Sequence, residues 1–163
     1  MLFTIAILIV ILAGIMAAAF VEYILHKLFL HQEGNIHLLE HHKNFKPQEN
    51  TFTRESFELD EVFSGIKYLL ANFLLYLPIG IIIGIYSFNL GLIYLIAGLL
   101  YTAWIEIVHY HYHHIDGIKF ERFKLFNYLK SNHKVHHALY EFNFGIGSSI
   151  WDIILGTSRK GWN

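Results

Sequence analysis

The run from Leu2 to Leu25 carries a single charge, Glu22. About 20 consecutive apolar residues cross the hydrocarbon core of a bilayer, so this stretch predicts a membrane span. Two further runs follow. Tyr68 to Phe88 is apolar and is interrupted by Pro78, which a membrane helix tolerates where neighbours satisfy the freed carbonyl. Gly80 and Gly84 within it form a small-xxx-small pair suited to close helix packing. Leu90 to Val108 stays apolar until Glu106, and Ser87-Phe88-Asn89 reads as a tight turn joining the two runs. A cleaved leader is the weaker reading of the first run. Ala17-Ala18-Ala19 offers small residues, but no basic segment precedes the apolar stretch.

The composition agrees with this class. The chain is 55% hydrophobic and 15% charged, where soluble domains carry about 25% charged residues. The expected fold is all-α integral membrane, a single domain over 1–163 with three to four transmembrane helices. The spans are placed near 2–25, 68–88 and 90–108, and segments 26–67 and 109–163 lie outside the bilayer. Lys43 to Ile66 is polar and reads as a connecting segment. Ile115 to Lys130 mixes basic and aromatic residues and reads as surface helix. Phe144 to Leu155, the one candidate for a fourth span, is short and contains glycine, so it reads as a re-entrant or interfacial piece.

Charge sets the topology. Lys27, Lys43, Lys46, Arg54, Lys67, Lys119, Arg122, Lys124, Lys130, Lys134, Arg159 and Lys160 are the basic residues. Three spans put all of them on one side, which the positive-inside rule makes the cytoplasm. The expected location is therefore an integral membrane protein of a bacterial inner membrane or the endoplasmic reticulum. A net charge of −1 argues against nucleic acid as a partner.

That same side holds every histidine. The 12 histidines, in a chain without cysteine, fall in four clusters: His26/His31, His37/His41/His42, His109/His111/His113/His114 and His133/His136/His137. Neutral imidazoles suit zinc, copper, iron and nickel, and the lack of cysteine excludes thiolate sites. Residues three or four apart share a helix face, so His37/His41, His109/His113 and His133/His136 are each expected to offer two nitrogens to one metal. An adjacent histidine, turned by about 100°, is placed for a second metal. His26 and His31, five apart, diverge on a straight helix and are expected to serve different metals. His111 faces away from the side shared by His109 and His113. Ten imidazoles suit two ions rather than one. Glu22, Glu106, Asp152 and His114 are candidates to support the ligands, since ligand imidazoles need acceptors that fix their tautomer.

The pattern resembles the fatty acid hydroxylase/sterol desaturase superfamily, membrane-bound di-iron oxygenases built on histidine boxes. The resemblance covers Glu22 to Thr157. Its carriers are Glu22-Tyr23-Ile24-Leu25-His26 through His31, then His109-Tyr110-His111-Tyr112-His113-His114 and His133-Lys134-Val135-His136-His137. The tail Asn143-Phe144-Gly145 with Trp151-Asp152 and Gly156-Thr157 completes them. Many members space the second box H-x2-H-H, where this chain has His37, His41 and His42 as H-x3-H-H. The resemblance implies a helical membrane domain whose cytosolic histidine-rich cap holds a dinuclear site. His26, His31, His37, His41, His42, His109, His113, His133, His136 and His137 would be its ligands. It also implies two iron ions, with zinc possible in purified protein, and O2 as co-substrate.

The function so implied is O2-dependent hydroxylation of a lipid in the membrane, a fatty acyl chain or sterol-like lipid. The His109–His137 region is similar to fatty acid 2-hydroxylases. The short chain and early boxes are similar to bacterial carotenoid ring hydroxylases, and lipid desaturation belongs to the same superfamily. Electrons are expected from a separate donor of ferredoxin or cytochrome b5 type with its reductase. A non-enzymatic metal transporter is the weaker reading, because it would place ligands along a path through the spans, and these carry little polar beyond Asn72.

Overall fold

The computed structural model describes residues 2–33, 35, 37–63, 65–115 and 119–161. Helix α1 (Leu2–Leu25) runs directly into a π-helical turn, His26–Leu30. A second π-helical turn, His37–His41, leads into the short helix α2 (His42–Asn44). Two 3-10 turns, Pro47–Glu49 and Leu59–Glu61, mark the connecting segment before α3 (Gly65–Tyr86) and α4 (Phe88–His113). A 3-10 turn at Lys119–Arg122, helix α5 (Lys124–Ala138) and the five-residue α6 (Ile150–Ile154) complete the order. Part of the surface segment expected at Ile115–Lys130, residues 116–118, lies outside the described residues. No strand forms among the described residues; Arg54 and His114 make an isolated bridge.

Among the described residues, three helices are long and apolar enough to cross a membrane: Phe3–Leu30, Gly65–Tyr86 and Phe88–His113. The second begins three residues before the predicted boundary, and the third continues five residues past it, so that its last turns carry His109 and His113 out of the apolar run. The most apolar window of α4 is 50% buried, against 22% for the other two spans. Helix α4 is therefore the centre of the bundle, packed against both α1 and α3.

The hairpin between α3 and α4 is tighter than a three-residue turn. Only Ser87 leaves helical geometry, with φ −157 and ψ 107. The small residues of the two helices explain how so short a connection closes. A side chain added at Gly91 would collide with the backbone of Gly80 and Gly84, so the helices meet backbone to backbone at these glycines.

The Phe144–Leu155 stretch, expected as a re-entrant or interfacial piece, forms only the five-residue α6 and packs against the long helices. Trp151 donates from Nε1 to the Met16 carbonyl at 3.1 Å and packs on Phe20 with ring centroids 4.7 Å apart. Met16 lies ten residues before His26, about 15 Å along a helix axis. Trp104 donates to the Gly147 carbonyl at 3.2 Å, and Tyr112 to that of Ile146 at 3.1 Å. The chain thus folds back and wedges against α1 and α4. Irregular backbone is tolerated at membrane depth where protein surrounds it, and Ile146 is 1% exposed.

Candidate metal centre

The two π-helical turns decide which histidines meet. On an α-helix, residues five apart diverge by about 140° at 3.6 residues per turn. The wider π turn, with i→i+5 hydrogen bonds, brings them together. His26 and His31 have ring centroids 5.0 Å apart, and His37 and His42 are 4.9 Å apart. The expected divergence of His26 and His31 is therefore not what the structure shows; His37 stacks on His41 with ring centroids 4.8 Å apart, but its ring nitrogen groups with those of His26, His31 and His42. Both turns begin at a histidine, and both use the same five-residue step.

Ten imidazoles form two groups. His26, His31, His37, His42 and His136 make the first, and His41, His109, His113, His133 and His137 the second. Within each group, one ring nitrogen of every member lies within 4.8 Å of those of the others. His109 and His113 share a group, as the i,i+4 spacing predicts. The α5 box divides differently from expectation: His133 pairs with His137, one helical turn on, and His136 turns to the first group. His111 and His114 belong to neither. His111 packs on Phe120 at 4.8 Å, and His114 stacks on Tyr110 at 5.1 Å.

The closest approaches are between Nε2 atoms. His26 and His37 approach to 3.1 Å, His31 and His136 to 3.1 Å, and His41 and His109 to 3.1 Å. His133 lies 3.0 Å from His113 and 3.1 Å from His137. Nitrogens about 2.1 Å from a shared ion and at right angles are about 3.0 Å apart, so these separations match the edges of a coordination polyhedron.

The far side of the rings fixes their tautomer. His26 Nδ1 donates to the Phe144 carbonyl at 2.6 Å, and His136 Nδ1 to that of Phe142 at 2.7 Å. In the second group, His41 donates to the Glu61 carbonyl at 2.8 Å, His113 to that of Phe52 at 2.8 Å, and His137 to that of Phe45 at 2.7 Å. A neutral imidazole whose Nδ1 holds the proton presents a lone pair at Nε2. Three such lone pairs therefore converge in the second group, buried from water. Neither ring nitrogen of the fully buried His42 has a hydrogen-bond partner among the described residues. Buried polar atoms left in this state are costly, and a cation at the centre of each group removes the cost. The histidine groups are thus compatible with metal binding.

Burial also keeps these histidines in the protonation state that metal binding needs. It pushes His31 and His41 down to about 4. Burial, then the neighbouring imidazoles, hold His37, His42, His133 and His137 well below the ordinary histidine range. At neutral pH these rings are neutral, the form that binds metal.

The carboxylates work one step further out than expected. Asp152 accepts from the Phe144 and Gly145 amides at 2.8 Å each and from the Thr157 hydroxyl at 2.8 Å. Glu22 accepts from the Ile146 amide and from Tyr101 at 3.2 Å. Both hold the tail, whose Phe142 and Phe144 carbonyls hold His136 and His26. Asn143, at φ 54, ties the tail's two ends by donating to the Arg159 carbonyl and accepting from its amide, both at 2.8 Å. Glu106 is buried in α4, one turn before His109. The Asn-Phe-Gly…Trp-Asp…Gly-Thr motif is therefore a clamp on the ligand carbonyls. Sequence reasoning missed those carbonyls, which no side chain marks, and it missed the π turns, whose one signal was the repeated spacing of five in His26/His31 and His37/His42.

The family model described as fatty acid hydroxylase matches residues 11–157. The chain belongs to the fatty acid hydroxylase family. Neither a curated protein nor a solved structure matches it significantly. Family membership suggests an oxidoreductase acting on lipid, and the three apolar helices fit an integral membrane protein.

A cleft of about 650 Å³ opens beside the histidines of this fatty acid hydroxylase family member. His37 and His41, one from each group, line it. Leu25, Phe29, Leu74 and Leu75 form its apolar walls, and Glu40, Asp60 and Lys67 also line it. The connecting segment closes over the second group: the Arg54 backbone amide donates to the His113 carbonyl at 2.8 Å, and the Arg54 guanidinium pairs with Glu61 at 2.9 Å.

Proposed function

We propose that the chain is an O2-dependent hydroxylase of a membrane lipid, working with two iron ions, one in each histidine group, and a separate electron donor. One observation carries this reading: two five-imidazole groups, the second wholly and the first mostly buried, each send one histidine, His37 or His41, into a single apolar cleft. Bound iron would supply the redox chemistry by which one atom of dioxygen enters a C–H bond.

The chain's own residues do the rest. The Phe45, Phe52, Glu61, Phe142 and Phe144 carbonyls hold five rings in the tautomer that aims Nε2 inward. Leu25, Phe29, Leu74 and Leu75 bind hydrocarbon and exclude water. Because the cleft opens at the ends of the spans, a lipid reaches it without leaving the membrane. The basic residues and the histidines share one side, which supports a cytoplasmic cap within reach of a soluble donor of ferredoxin or cytochrome b5 type.

The test is metal content of the detergent-purified protein expressed with excess iron, beside a His136→Ala/His137→Ala variant. The expected result is about two metals per chain, zinc partly replacing iron, and loss in the variant. Lipid products of the iron-loaded protein should then gain the mass of one oxygen. Loss of two hydrogens instead would mark a desaturase. One metal or none in the intact protein overturns the dinuclear reading.

A further inference from the structure

Charge is spread unevenly over the cap. Helix α5 carries Lys124, Lys130 and Lys134 and no carboxylate. The cleft beside His37 and His41 is lined instead by Glu40, Asp60 and Glu61, against Lys67. A separate pocket of about 540 Å³ opens along α5. Asn50, Thr53, Asn127, Lys130, Ser131 and Lys134 line it, with Phe52 and without a carboxylate among the described residues. Lys130 pairs with Glu121 at 2.7 Å, but the Glu121 side chain is 69% exposed. An exposed pair of this kind contributes little and gives way readily to an incoming carboxylate.

Phe52 joins this pocket to the second histidine group. It is 4% exposed. Its ring centroid lies 4.7 Å from that of His113, 5.4 Å from that of His137 and 6.1 Å from that of His133. His113 donates from Nδ1 to its carbonyl at 2.8 Å. A single residue therefore separates the pocket from three imidazoles of the second group.

We propose that this pocket is the docking site of an acidic one-electron carrier protein, which seats carboxylates against Lys130 and Lys134 and passes its electrons to the second group through Phe52 and His113. This rests on the hydroxylase reading and adds the place of electron entry. Hydroxylation of a C–H bond by O2 leaves one oxygen atom to become water, which takes two electrons and two protons. The carrier is oxidised by one electron in each of two encounters, and solvent supplies the protons. Electron transfer slows steeply as the barrier thickens, and Phe52 makes the barrier one residue thick. Charge selects the same face. The lysines of α5 attract an acidic protein, and the carboxylates of the cleft repel it. Docking and lipid entry therefore do not compete. Redox carriers bind through small, charge-steered contacts, which a pocket of this size and sign suits.

The experiment uses the metal-loaded protein in phosphatidylcholine nanodiscs, with a 2Fe–2S ferredoxin and the soluble haem domain of cytochrome b5 as carriers. Zero-length carbodiimide coupling joins a lysine amine to a carboxylate, and it is expected to link a carrier to Lys130 and Lys134. Lys130→Glu/Lys134→Glu should weaken binding on the order of tenfold and slow oxidation of the pre-reduced carrier to match. Lys43→Glu/Lys160→Glu changes net charge equally at exposed positions outside the pocket lining, and should weaken binding by less than about twofold. Lys130→Gln/Lys134→Gln, with unchanged metal content, should show an intermediate loss that a folding defect does not explain. Links that avoid Lys130 and Lys134, or equal loss in the two Glu variants, overturn the proposal. So does binding of phosphate or citrate at these lysines with carriers indifferent to them, which marks a small-anion site. If dithionite-reduced protein still oxygenates lipid in any of these cases, the hydroxylase reading stands without this docking site. Docking at Lys130 and Lys134 with electron uptake but no oxygenated product upholds the proposal and counts against the hydroxylase reading.

Discussion

At the scale of single residues, the two groups make separable predictions. His42→Ala removes a ligand of the first group and His109→Ala one of the second. Each variant is expected to retain about half of the wild-type metal, read by elemental analysis, whereas His111→Ala and His114→Ala should retain it all. The buried neutral rings also set a pH dependence. In the metal-free protein, unfolded histidines take up protons below about 6.5, while folded His31 and His41 do so only near about 4. The unfolded state therefore binds more protons between these values, and stability is lost as pH is lowered through that window. Thermal unfolding in detergent after metal removal should show a midpoint that is flat above about pH 6.5 and drops below it. A midpoint unchanged down to pH 5 would contradict the buried, neutral state of these rings.

At the scale of elements, the tail and the π turns carry the site. Asp152 accepts three hydrogen bonds, and Asn in its place keeps the shape but loses acceptor capacity. Asp152→Asn is expected to cost about 1–3 kcal/mol in unfolding and to weaken metal retention in the first group, through Phe144 and His26, before the second. Equal loss from both groups would show a general rather than a local effect. Deleting Leu28 would turn the His26–His31 spacing into i,i+4 and remove the need for the π turn. The downstream register then shifts, and metal loss from the first group is the expected readout. The spacing of five was visible in the sequence. Its meaning was not, because hydrophobic and ligand periodicities are read against 3.6 residues per turn, and only the folded backbone shows where that period is broken.

At the scale of the whole molecule, the two basic residues within the candidate spans sit at the histidine-bearing ends of them: Lys27 in the π-helical turn that follows α1 and Lys67 in the first turn of α3. A chain without cysteine allows a direct topology test. Asn89→Cys, at the α3–α4 hairpin, should be labelled by an impermeant maleimide from outside intact cells. Lys124→Cys, exposed on α5, should react only after permeabilisation. The reverse pattern would invert the proposed orientation. Packing of the hairpin is equally testable: Gly91→Val places methyl groups where Gly84 and Gly80 backbone lies, and should cost at least about 1–3 kcal/mol by overpacking.

The sequence by itself determined the three spans, their polarity of charge, the histidines that assemble and the family, because each rests on local composition or on spacing along one helix. Three apolar runs have few stable arrangements in a bilayer, and an i,i+4 pair such as His109/His113 meets on any helix. Tertiary structure decided the partition of the histidines into two groups. His136 joins His31, 105 residues away, and His41 joins His109, 68 away, through the relative placement of the two π-helical turns, α4 and α5. It decided as well that backbone carbonyls, rather than Glu22 or Asp152, orient the rings. A carbonyl's role depends on where the chain folds back to, and every residue has one.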